Sequence, residues 1–221
     1  MRNKNTRTLV RFAILTALEA VLAFTSLGYL TIGPFAITFL HIPVIVGAVM
    51  MGPLWGASLG LVFGLCTFAK CFGADALGVF LMQISPIKVF LTCVVPRVLM
   101  GFFVALIFRA LYKIETTRKA SYVVASFSGA ALNTVLFMSA LFLFFGGDGS
   151  FLSFIGIEQV TLGAIAALIG LNGVLEMAVC LAFGFALARI VRAVERSTPE
   201  DEEAERLGAK KDDAGKSDDT L

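Results

Sequence analysis

Charge is scarce over most of this 221-residue sequence: Asp, Glu, Lys and Arg make up 15% of it, against 58% hydrophobic residues. A soluble domain of this length needs far more polar residues to cover its surface. The mean hydropathy of +0.89 therefore points to a chain whose solvent is lipid. Histidine and tryptophan occur once each. The four cysteines, Cys66, Cys71, Cys93 and Cys180, form no CxxC pair and read as small apolar packing residues rather than metal or redox groups. There is no GxSxG, no HExxH, no Walker loop and no pair of aspartates of the intramembrane-protease kind. These absences exclude an enzyme reading, leave no catalytic residue, metal or cofactor to assign, and mean that the chain itself cannot couple ATP hydrolysis to transport. The net charge of +2 says little by itself, and nothing in the sequence suggests a basic groove, so no nucleic acid is expected as a partner.

What is present is Phe and Gly, 21 of each. Bulky rings suit helix faces turned to lipid, and glycines suit faces turned to other helices. A span needs about 20 mostly apolar residues. Six segments qualify: 8–27; 41–51, with an apolar lead-in from Ile32 that would lengthen it; 53–68, with Pro53 in the first turn; 91–111; 122–145; and 159–191, long enough to tilt or project. The first follows Arg2, Lys4, Arg7 and Arg11 like a signal peptide, but no cleavage site with a polar region comes after it, so it reads as a retained span.

Charge orients the spans. Arg2, Lys4, Arg7 and Arg11 precede the first; Arg109, Lys113, Arg118 and Lys119 lie between the fourth and fifth; Arg189, Arg192 and Arg196 follow the sixth. Six spans put all three clusters on one side, which the positive-inside rule makes cytoplasmic. The expected fold is an all-α, polytopic cell-membrane protein with six transmembrane helices and both termini inside. Residues 1–196 form the membrane domain. Residues 197–221 are rich in Glu, Asp and Lys, cannot bury enough apolar surface to offset their ordering entropy, and read as a disordered cytoplasmic tail. The outer connections at 28–40, 70–90 and 146–158 are too apolar for solvated linkers and read as lids over a cavity.

Small residues mark contact faces. Gly52, Gly56, Gly60 and Gly64 repeat every four residues, a stripe along which a neighbouring helix can approach closely, most simply within this chain. Ala13 and Ala17 form a shorter stripe on the first span. Polar groups at membrane depth must face the protein interior or a water-filled cavity. Glu19, Arg97, Asn133, Asn172 and Glu176 are of this kind, and the last two share a helix face. Arg97 alone is compatible with snorkelling to the outer interface, and Glu176 with pairing to Arg97. His41, without acidic or cysteine neighbours, reads as a packing or interfacial residue rather than a metal ligand.

The run His41-Ile-Pro-Val-Ile-Val-Gly47, then Gly52-Pro53, Gly56, Gly60 and Phe63-Gly64, resembles the vitamin-binding S components of energy-coupling factor (ECF) transporters. So do Pro96-Arg97, Asn133-Thr134, and Asn172-Gly173 with Glu176, over roughly residues 8–192. The His-Ile-Pro-Val run is most similar to pantothenate-type members. The resemblance implies high-affinity capture of a vitamin beneath the outer loops, with Arg97, Asn133, Asn172, Glu176 and His41 as candidate substrate-binding residues. It also implies association with a transmembrane coupling protein and two ATPase subunits, and toppling in the membrane to carry the ligand inward. Ala13 and Ala17 fall where that family presents its surface to the coupling protein. The competing reading is a self-sufficient secondary transporter or channel for a small solute, with the polar face of the sixth span lining its path.

Overall fold

The computed structural model describes residues 4–25, 28–32, 35–114 and 120–154. The sixth expected span and the charged tail, with Asn172, Glu176 and Cys180, lie outside the described residues. Helix α1 (Lys4–Phe24) rises along one side of the bundle. Strands β1 (Tyr29–Ile32) and β2 (Phe35–Thr38) then form an antiparallel hairpin, with Ile32 opposite Phe35 and Tyr29 opposite Thr38. Next come α2 (His41–Met51), α3 (Pro53–Lys70), α4 (Ala76–Ile84), α5 (Pro86–Tyr112), α6 (Ser121–Phe145) and α7 (Gly149–Phe154). The body is helical as expected, and α3, α5 and α6 are each long and apolar enough to cross a bilayer.

The connections differ from their expected form. The apolar lead-in to α2 is the hairpin, not a helix: its β-branched and aromatic residues favour strands, and Gly33-Pro34 is a helix-breaking pair. Between α3 and α5 stands α4, started by Asp75, whose side chain accepts a hydrogen bond from Gly78 N at 3.0 Å. Helix α5 begins at Pro86, five residues earlier than hydropathy alone suggests, with the proline in its first turn.

The α2–α3 turn is held at Gly52, whose φ of +98° is strained for any side chain and whose Cα faces the Arg109 guanidinium. Beyond it, the glycine stripe meets α5 along its length. Gly56 packs on the Gly101 carbonyl, Gly60 on the Arg97 carbonyl, and Gly64 on Val94 and Cys93. The contact is reciprocal, since Gly101 in turn packs on the Gly56 carbonyl. Two apolar clusters fill the bundle. One, toward the Gly52 turn, contains Val44, Ile45, Leu59, Met100, Val104, Phe108 and Tyr122. The other, toward the hairpin, α4 and α7, contains Cys71, Leu81, Val89, Cys93, Leu141, Phe145 and Phe151. Cys71 and Cys93 are free thiols with sulfurs 3.9 Å apart inside this second cluster.

Candidate functional site

Between the two apolar clusters lies a polar level. Its depth follows from helix rise at 1.5 Å per residue. Arg97 stands 12 residues above Arg109 on α5, and Asn133 stands 12 residues above Ser121 on α6, about 18 Å from the Gly52 end in each case. His41 opens the 11-residue α2, so it stands about 16 Å above the same turn, close to mid-membrane rather than at an interface. Packing register agrees. Gly101 meets Val44, and one turn up from that contact are Arg97 on α5 and Leu40–His41 on α2. Gly129 meets Ile45, and one turn up are Asn133 and His41. Three helices thus bring His41, Arg97 and Asn133 to one height.

Each of the three is buried: His41 is 0% exposed, Arg97 5% and Asn133 5%. Arg97 is fixed by its own neighbourhood. Pro96 has no N–H, so the Thr92 carbonyl four residues earlier loses its helical donor. The Arg97 Nη1 donates to that carbonyl at 2.9 Å, satisfying within one side chain the defect its neighbour creates. The guanidinium lies 4.2 Å from the Phe137 ring centroid and 5.4 Å from that of Phe63, on α6 and α3. Cation–π contacts of this kind are strengthened by desolvation. The result is a planar cation held against two rings at mid-depth, not one reaching for the surface. Asn133 sits one turn from Phe137 on the same face of α6, and its Oδ1 accepts no hydrogen bond among the described residues. No group of three or more potential metal ligands occurs among them either.

Other expected residues lie elsewhere. Gly56, Gly60 and Gly64 are buried against α5 and bring α3 close enough for Phe63 to reach Arg97. Ala13 and Ala17 are exposed on α1, among the exposed apolar side chains of Leu9, Val10, Ile14, Leu18 and Val21. Phe63 enters the sequence reading only as part of the Phe63-Gly64 run, with no role beside Arg97, and Phe137 does not enter it. Among 21 phenylalanines nothing local distinguishes the two that meet Arg97, because they come from different helices. The Pro96-Arg97 adjacency was visible, but its reason, the freed Thr92 carbonyl, needed coordinates.

Above the polar level the short elements close the bundle. Phe80 of α4 stacks on Phe154 of α7 with centroids 4.4 Å apart and planes 13° from parallel. Lys88 Nζ at the start of α5 donates to the Phe144 carbonyl at 3.2 Å, joining α5 to the end of α6.

Comparison with known proteins adds two findings. Residues 7–188 match the family model for the substrate-specific component of ECF transporters. Over 146 residues, 61% of this chain and 71% of the relative, the sequence is 34% identical to the pantothenic acid transporter PanT of Lactococcus lactis subsp. cremoris (strain MG1363).

Proposed function

This chain belongs to the substrate-specific components of ECF transporters, and from that membership we propose that it is the membrane subunit that captures pantothenate for uptake. The observation that carries the ligand reading is the buried guanidinium of Arg97, held against two rings. A planar fork at mid-depth suits a carboxylate, which pantothenate has. Asn133 and His41, at the same height, are assigned to its amide and hydroxyl groups; the candidates Asn172 and Glu176 lie outside the described residues.

Six spans with both termini in the cytoplasm suit the charge distribution. The Gly52 end carries Arg7, Arg11, Arg109 and Lys113 without an acidic residue among the described ones. Among the described residues the opposite end carries Lys70 and Lys88 balanced by Asp75 and Asp148. The positive-inside rule then turns the Gly52 end to the cytoplasm. Pantothenate enters from the other face, past the hairpin and the α4–α7 aromatic clasp. On the lipid side, Ala13 and Ala17 leave a shallow strip on α1 where a helix of the transmembrane coupling protein can seat, with two ATPase subunits beneath it. The self-sufficient transporter has no observation in its favour.

Two measurements test this. Mass spectrometry of small molecules released from the purified protein should find pantothenate, and the protein should rebind it. Co-purification from cells should recover ATPase partners, with no pantothenate uptake by vesicles containing this chain alone. Autonomous uptake, or a purified protein indifferent to pantothenate, overturns the reading.

A further inference from the structure

The inner face of α1 holds three oxygens with no hydrogen-bond partner among the described residues. Glu19 is 0% exposed, and among the described residues neither its Oε1 nor its Oε2 has a hydrogen-bond partner; the Thr16 Oγ1, one turn below on the same face, is buried and unpartnered among them as well. Protein interiors satisfy nearly all such groups, and each failure costs about 1–3 kcal/mol, more for a charged one. A carboxyl serving only to anchor α1 would show the bond that anchors it. Cys66 of α3 is within electrostatic reach of Glu19, yet no hydrogen bond joins them.

The position of Glu19 gives the vacancy a meaning. Phe12 packs against Trp55 with centroids 5.2 Å apart, and α1 and α3 run in the same direction. Seven residues further along each helix are Glu19 and Val62, next to Phe63. Leu15 reaches Gly47 of α2, so Glu19, one turn up, also stands within a turn of the height of His41. Phe63 is the ring that faces Arg97. An acceptor-rich group on α1 and a cation on α5 therefore occupy one level of the bundle with the same ring at their height.

We propose that Glu19, supported by Thr16, is a further ligand-binding residue of this site and accepts a hydrogen bond from a hydroxyl of the bound vitamin. The inference rests on the pantothenate reading above. Pantothenate carries its carboxylate at one end and its two hydroxyls at the other, so an anion-binding Arg97 and a hydroxyl-binding Glu19 fix which way round it lies. A site built to bond a hydroxyl discriminates strongly against an analogue lacking it, because the buried acceptor is left unpaired.

The test is a cycle between protein and ligand, using the full chain in lipid nanodiscs. Binding of pantothenate, and of the two analogues in which one hydroxyl is replaced by hydrogen, is measured for the parent, Glu19→Gln and Glu19→Leu. Glu19→Leu should weaken pantothenate by about tenfold or more, with Glu19→Gln, which keeps an acceptor oxygen, in between. One deoxy analogue should bind the parent and Glu19→Leu within about twofold, because its share of the bond is already gone. Unliganded Glu19→Leu should melt at or above the parent temperature, since it removes an unsatisfied buried group. Equal losses for all three ligands, no loss for any, or a lowered melting temperature would overturn the proposal. A parent protein that ignores pantothenate would instead overturn the vitamin assignment, and this inference with it.

Discussion

Replacing Gly60 with alanine probes how the α3–α5 contact supports the site. A Cβ built there lands on the Arg97 carbonyl oxygen, 2.7 Å from the Arg97 carbonyl carbon and 3.1 Å from Val98 Cα. All three are backbone atoms, so no side-chain rotation relieves the clash and α5 must retreat. Restoring ordinary contact with that oxygen, near 3.5 Å, takes a shift of more than about 1 Å. Overpacking of this kind costs about 1–3 kcal/mol. For a chain of this size that corresponds to a fall in melting temperature of about 2–12 °C. The same shift carries the Arg97 backbone away from Phe63, so pantothenate affinity should fall as well, since binding constellations tolerate only about 0.5 Å of displacement. Gly73 is the control. A Cβ there meets nothing within 4 Å, and among the described residues only Gly52 has a positive φ. Gly73→Ala should be neutral or stabilise by about 0.4–1 kcal/mol. Thermal unfolding of both purified variants, followed by pantothenate titration, decides the matter. If Gly60→Ala melts with Gly73→Ala, the glycine stripe is not the close contact described, and Arg97 does not depend on it.

Other variants address the remaining parts. Arg97→Lys keeps the charge but loses the fork, and should weaken pantothenate binding by about tenfold or more, with Arg97→Gln worse. The analogue with an alcohol in place of the carboxylate should be much less sensitive, and equal sensitivity would separate Arg97 from the carboxylate. Leucine at both Ala13 and Ala17 should abolish uptake while leaving binding to the isolated subunit near normal; parallel loss of both would place the pair in the internal fold. Single-cysteine labelling in a cysteine-free background should reach positions 115 and 200 only from the cytoplasm and position 148 only from outside, and external labelling at 115 would defeat the six-span topology. Phe80→Ala removes one face of the α4–α7 stack, worth about 0.5–1.5 kcal/mol, so pantothenate should dissociate several-fold faster. An unchanged dissociation rate would mean that these two helices do not gate the site.

Much of this protein was legible before any coordinates, because lipid imposes simple rules. Apolar runs of span length, basic clusters between them and a four-residue glycine repeat are all local, and each has one main physical cause. The resemblance to ECF substrate-specific components came from the same local runs, and the family match agrees with it. Expectations failed where apolar character did not mean helix. The segment before His41 is as hydrophobic as a span, yet forms a hairpin. Hydropathy measures transfer to lipid, not backbone conformation, and β-branched residues beside Gly33-Pro34 choose strands.

The sequence by itself determined that the chain lives in a membrane, which residues are costly to hold there, and that α3 needs a close neighbour along Gly56, Gly60 and Gly64. Tertiary structure alone decided that this neighbour is α5, that a proline-freed carbonyl and two rings from other helices hold Arg97 in place, and that the short α2 sets His41 at the depth of Asn133. It also decided that Glu19 faces inward with no hydrogen-bond partner among the described residues. The reason is one of range: the cost of burying a group is a property of the residue, whereas the partner that offsets the cost stands on another helix, at a height set by where each helix begins.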